Sequence, residues 1–144
     1  MKQSHTIELL KECDSGVKMA VFSIDEVYDD VHSEDMKALM DKSKEHHETL
    51  GKEIENMLQE FGQQEEEPTP IAKGMAWMST NIKLGMDSSE QKVADILVQG
   101  CHMGIKSLHK YLNEYETAQE QAKDICKKLI DIEEEFCRDL YPYL

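Results

Sequence analysis

Three polar residues, Asp14, His47 and Glu133, lie on or beside lines of apolar residues that would otherwise face a protein core. Carboxylate and imidazole groups bind divalent metals. One interpretation is therefore a mononuclear metal site built from these three side chains, or from Cys101 and His102. The other is that Asp14 and His47 are buried polar groups that bond each other, or a helix carbonyl, and so fix the register of two helices. We expect His47 to be buried near the middle of its helix, with Asp14 as its partner.

A two-metal centre makes stricter demands on the sequence. In a four-helix bundle such a centre takes a carboxylate from each helix and a His three residues after a Glu on two of them. Lys44 occupies the position three residues before His47, and no carboxylate lies between Asp95 and Glu114. The ligand set cannot be assembled from these residues. We therefore predict no ferroxidase activity and no cofactor. The sequence leaves open whether the protein is an enzyme, and we favour a non-enzymatic role.

The four cysteines do not suggest a catalytic thiol or a disulfide. Cys101 and His102 are adjacent, so on a helix their side chains point about 100° apart and do not pair directly. Cys126 and Cys137 are eleven residues apart, which separates them by about 16 Å along a helix axis and prevents a bridge. We expect these cysteines to be reduced residues of a core or an interface.

The elements that must position these groups are four long helices. Apolar residues recur in alternating steps of three and four over residues 7–31, 36–61, 94–115 and 118–140. This spacing places each set on one stripe of an α-helix. Lengths of about 25 residues suit a bundle whose helices run its full height.

The connections predict how the four helices are joined. Ser33 is a candidate N-cap for the second helix, and Gly62 follows the end of that helix as a stop signal. Short links make the first two helices one antiparallel hairpin and the last two another. The hairpins are joined by a long crossover over about 62–88, with an acidic, proline-bearing loop followed by a short helix over 71–86 that carries Trp77. We predict a single all-α domain over residues 1–144.

Three glycines lie in or near the middle of predicted helices, at Gly16, Gly100 and Gly104. Glycine in a helix interior costs about 1 kcal/mol relative to alanine, so its presence needs a reason. Close packing of neighbouring helices is one reason, and we favour it. A pocket for a small ligand is the other.

The sequence resembles the ferritin-like superfamily, and within it an uncharacterised bacterial branch known only as a domain of unknown function. The resemblance is carried by the stretches 9–16, 43–50 and 100–112 and by Trp77 in the crossover. It implies a ferritin-like four-helix bundle. It also implies inward Glu ligands near Gly16, at Lys44 and near Gly104, and all three are absent. Only His47 matches a ligand position, so the resemblance argues against di-iron chemistry.

Composition limits the partners. The chain has 16 Lys+Arg against 30 Asp+Glu, a formal net charge of −14, which disfavours nucleic acids and anionic membranes. No secretory signal or apolar membrane segment is evident, so we expect a soluble cytoplasmic protein. The apolar surface around Trp77 and the C-terminal tyrosines, Tyr141 and Tyr143, predicts a homodimer.

Two functions are consistent with these observations. The first is a non-catalytic ferritin-like bundle that has lost its metal centre and acts as a structural, scaffold or small-ligand-binding protein. The alternative is a protein that binds iron or another divalent metal at an atypical or mononuclear site and serves iron handling or oxidative stress. The first explains the missing carboxylates and the three glycines, and we prefer it.

Overall fold

The fold is all-α. The computed structural model describes residues 2–63 and 90–144, which form four long helices and no β-strand. The predicted short crossover helix over 71–86, with Trp77, lies outside the described residues. The helices are α1 (Lys2–Val27), α2 (Glu34–Glu60), α3 (Glu90–Glu114) and α4 (Glu120–Leu140), with 3₁₀ turns at Tyr28–Asp30 and Tyr141–Tyr143.

The ends of α2 follow local sequence signals. The Ser33 hydroxyl accepts a hydrogen bond from the Met36 backbone N–H at 3.2 Å, so the predicted N-cap is confirmed. Gly62 has φ of 74°, and its N–H donates to the Gln59 carbonyl while the Gln63 N–H donates to the Leu58 carbonyl. This pair of bonds is a Schellman motif, in which glycine takes the left-handed conformation at low cost. The predicted stop at Gly62 is also confirmed.

Hydrogen bonds at the two ends of the bundle fix the direction of each helix. At one end, the Glu90 carboxylate at the start of α3 accepts the backbone N–H groups of His32 and Ser33, which join α1 to α2. At the other end, the Thr6 hydroxyl near the start of α1 accepts the Gln119 N–H just before α4. Helices α1 and α4 therefore run parallel to each other, and α2 and α3 run in the opposite direction. The chain passes from one end of the bundle to the other between α2 and α3.

Helix α1 packs on α2, α3 and α4, and α4 packs on α2 and α3. The core divides along the bundle axis into two apolar clusters. One lies near the α1–α2 turn and includes Met40, Leu97 and Phe136, and the other lies near the α3–α4 turn and includes Leu50, Leu108 and Leu129. Buried polar side chains lie between them at the level of His47.

The C-terminal residues cover one end of the bundle only in part. Leu140 is fully buried and Tyr143 packs on the cluster near the α1–α2 turn. Tyr141 and Leu144 remain 47% and 49% exposed.

Among the helices in the described part of the chain, none combines the length and apolarity that crossing a membrane requires.

Candidate functional site

A buried pair of charged side chains links α2 to α4 at mid-height of the bundle. The His47 Nε2 atom lies 2.9 Å from Glu133 Oε1, with His47 0% and Glu133 6% exposed. The prediction that His47 is buried is confirmed, but the prediction that Asp14 is its partner is wrong. Antiparallel α2 and α4 bring His47 and Glu133 level with each other. Asp14 instead contacts Lys18, one turn later on its own helix, at 3.0 Å.

Both ring nitrogens of His47 face hydrogen-bond acceptors. The Nδ1 atom lies 2.7 Å from the Ser43 carbonyl oxygen, which can only accept, and Nε2 lies against the carboxylate. Two acceptors are both satisfied only when both nitrogens carry a hydrogen, as in the imidazolium. Burial lowers the pKa of His47, but the hydrogen bond and the negative charge of Glu133, together with the Ser43 carbonyl, raise it above the ordinary value overall.

The Glu133 carboxylate also contacts α3. Burial together with the nearby negative charge of Glu133 raises the pKa of the Cys101 thiol on α3 far above its ordinary value. Cys101 is therefore a neutral thiol near the carboxylate and not a nucleophile. Sequence reasoning missed this contact because the position of Cys101 relative to α4 depends on tertiary packing.

On its other side Glu133 lines a cavity between α1 and α3. The cavity has a volume of about 230 Å³, with α4 forming its floor through Leu129, Glu133 and Phe136. Helix α1 contributes residues from 12 to 24 and α3 contributes residues from 96 to 111. Gly100 and Met103 are its exposed lining residues, so the mouth lies on the α3 side. We call this space the α1–α3 cavity.

The glycines singled out in the sequence explain why this space exists. Gly16, Gly100 and Gly104 all line the α1–α3 cavity. A Cβ at Gly16 would lie 3.5 Å from Leu129 Cδ2, an ordinary contact, and one at Gly100 would meet no atom within 4 Å. The favoured close-packing explanation is therefore wrong for Gly100. The glycine that does pack closely is Gly51, which was not singled out: a Cβ there would lie 3.0 Å from Val17 Cγ1.

The lining is mainly apolar, and its charged groups are all acidic. Glu12 and Glu133 are its carboxylates, and no Lys, Arg or His is among the lining residues within 2–63 and 90–144. Tyr111 and Glu12 both belong to this lining. Partial burial, followed by the negative charge of Glu12, raises the pKa of Tyr111 to about 12. The hydroxyl therefore stays protonated at neutral pH.

The metal-site candidates are only partly brought together. Of the first predicted set, His47 and Glu133 are in contact while Asp14 pairs with Lys18. Lys44, which stands where a ligand would be needed, makes a 2.8 Å ion pair with Asp25. Within residues 2–63 and 90–144, no group of three or more His, Cys, Asp or Glu side chains is arranged to hold a metal ion.

The second predicted pair, Cys101 and His102, diverges as expected on one helix, but His102 finds a different cysteine. The His102 Nε2 atom lies 3.1 Å from the Cys137 sulfur, and the Tyr141 hydroxyl lies 3.4 Å from both atoms. The sequence spacing of 35 residues between His102 and Cys137 gave no sign of this contact. It joins α3 to the end of α4.

The chain was compared with protein-family models, with curated proteins and with solved structures, and nothing matched.

Proposed function

We propose that this protein is a non-catalytic, ferritin-like four-helix bundle that binds a small ligand in the α1–α3 cavity. Support for the ferritin-like assignment comes from helix direction. Helices α1 and α4 are parallel, α2 and α3 run oppositely, and the chain must traverse the bundle between α2 and α3. Two hairpins joined by one long crossover is the connectivity that defines this class of bundle.

The α1–α3 cavity is the observation that carries the ligand-binding function. Protein interiors are close-packed, and an engineered apolar cavity of about 150 Å³ is enough to hold benzene. The 230 Å³ here therefore admits a ligand of about ten non-hydrogen atoms. Small residues from two helices, including Gly16, Ala20 and Gly104, keep this space open along its length.

Metal binding is the weaker candidate. His47 and Glu133 supply two donor groups, but each already satisfies the other at 2.9 Å, and the described residues offer no third donor in reach. A metal would have to displace the imidazole from its carboxylate. Metal analysis of untagged protein after aerobic loading with ferrous iron tests this alternative, and one tightly bound iron per chain would support it over ligand binding.

The direct test uses 1-hexanol, a small neutral probe with an extended apolar chain, followed by ¹⁵N-resolved NMR. We expect saturable shifts confined to amides of α1 and α3 that line the cavity. Ala20→Leu fills the cavity and should abolish these shifts. The matched control is Ala38→Leu, which makes the same change at an exposed position of α2 and should leave them intact. Unsaturable shifts, or equal binding by Ala20→Leu, would contradict a cavity site.

A further inference from the structure

The charge of the α1–α3 cavity restricts the ligand that it can take. The negative charge of Glu133 is met from behind the lining by His47 of α2, whereas Glu12 has no Lys, Arg or His beside it among the lining residues that the structure describes. The whole chain carries a net charge of −14, which adds to the negative potential. An anionic ligand would be repelled, and a cation would be attracted.

The shape of the cavity restricts the ligand further. Its lining extends from residue 12 to 24 on α1 and from 96 to 111 on α3, which corresponds to about 18 and 22 Å of helix. A volume of 230 Å³ spread over such a length leaves a narrow space. A linear chain fits it, and a bulky ring system of the same atom count does not.

Glu133 is placed to receive a donor from this space. His47 uses one side of the carboxylate at Oε1. An ionised carboxylate has about four lone-pair sites, so capacity for further donors remains. A Cβ at Gly104 would lie 3.9 Å from Glu133 Cδ and 4.0 Å from both carboxylate oxygens. The missing side chain of Gly104 therefore leaves this face of the carboxylate uncovered toward the cavity.

We propose that the α1–α3 cavity binds a linear aliphatic amine, whose alkyl chain lies along the cleft and whose ammonium group contacts the Glu133 carboxylate beside Gly104. This inference rests on the proposed ligand-binding function and adds the chemical class of the ligand. The ammonium supplies N–H donors and a positive charge, while the alkyl chain covers the apolar walls. Glu12, which lines the cleft together with Tyr111, adds a second negative charge.

The test compares three probes that share one alkyl chain and differ in charge: octylamine, 1-octanol and octanoate, each titrated calorimetrically at neutral pH and moderate salt. We expect octylamine to bind about tenfold or more tightly than 1-octanol, because a charge-assisted hydrogen bond is stronger than a neutral one. Octanoate should bind most weakly. Equal binding of octylamine and 1-octanol, or preference for octanoate, overturns the amine proposal and leaves the ligand-binding function standing. Absence of binding by all three overturns both.

Two variants test the role of the carboxylate. Glu133→Gln should reduce the octylamine-to-octanol affinity ratio toward one, whereas Glu134→Gln, next along α4 and outside the cavity lining, should leave it unchanged. Gly104→Ala covers the carboxylate without removing it and should lower the same ratio, which provides the readout if Glu133→Gln does not fold. Adsorption of octylamine to the acidic surface would persist in Ala20→Leu, and that result would overturn the proposal.

Discussion

Breaking the contact between His47 and Glu133 would lower the stability of the folded protein. Each is nearly excluded from water, and each is the other's counter-charge. Replacing a buried pair by apolar residues is often tolerated, whereas removing one partner leaves an uncompensated charge. The stability of the protein should therefore respond both to substitution of either side chain and to pH.

A double-mutant cycle measures this dependence. We expect His47→Leu to lower the free energy of unfolding by about 3–5 kcal/mol, because the Glu133 carboxylate is left buried without its partner. Adding Glu133→Met to His47→Leu should recover much of that loss. Urea unfolding followed by circular dichroism provides the measurement, and His46→Leu is the neighbouring control, with an expected change within about 0.5 kcal/mol. Additive single-variant effects would show that the two side chains are not coupled.

The pH dependence of stability follows from the raised pKa of His47. In the folded protein His47 holds its proton to a higher pH than in the unfolded chain, where its pKa is about 6.5. The resulting stabilisation is fully present below that value and is lost as pH rises through the folded pKa. We therefore expect the thermal midpoint to fall as pH rises above about 6.5, the unfolded value, toward the raised folded pKa. In His47→Gln this part of the slope should disappear, and a slope unchanged by the substitution would contradict the assignment.

Among the helices, two glycines that both lie in helix interiors have different roles. A Cβ added at Gly51 would lie 3.0 Å from Val17 Cγ1 across the α1–α2 contact. Because β-branched valine has one preferred rotamer in a helix, this side chain cannot turn aside. Gly100 faces open space. Replacing Gly100 with alanine gains helix propensity at no steric cost, whereas the same change at Gly51 overpacks the contact.

We expect Gly100→Ala to raise the free energy of unfolding by up to about 1 kcal/mol. Gly51→Ala should lower it, since overpacking costs about 1–3 kcal/mol and exceeds the gain in propensity. Denaturant unfolding of the two variants side by side gives the order. A more stable Gly51→Ala would mean that α1 and α2 can separate by a few tenths of an ångström without loss.

The helices were predictable because their signals are local. The apolar period placed all four, and the Ser33 cap and the Gly62 stop depend on residues within one turn of the helix end. The partner of His47 was not predictable, since Asp14 and Glu133 both occupy core-facing positions and only the docking of the hairpins decides between them. The role of each glycine likewise depends on which residue of a neighbouring helix faces it. The apolar pattern of a single helix carries no information about that neighbour.

For the whole molecule, the sequence predicts that two copies of the chain associate as a homodimer. Tyr141 and Leu144 are about half exposed at one end of the bundle, and Met103 is 52% exposed at the mouth of the α1–α3 cavity. Trp77, the other predicted interface residue, lies outside the described residues. Apolar surface of this kind favours a partner, and a twofold dimer is the commonest homo-oligomer.

Sedimentation equilibrium at micromolar concentration and physiological salt tests the homodimer. We expect a mass twice the 16.6 kDa of one chain. Substituting Tyr141 and Leu144 with serine should shift the equilibrium toward the single chain, and Tyr115→Ser at the opposite end of the bundle serves as the control. A single species at the mass of one chain in the unmodified protein would contradict the prediction.

The separation of His47 and Glu133 along the chain also bears on how the protein folds. Contacts within each hairpin are local, but these two residues are 86 positions apart and meet only after the hairpins dock. Closing so long a segment is slow and entropically costly, so the contact belongs late on the folding pathway. Its strength then governs mainly the rate at which the native state opens and only weakly the rate at which it forms. The buried pair would thus slow the separation of the docked hairpins and so lower the rate of unfolding.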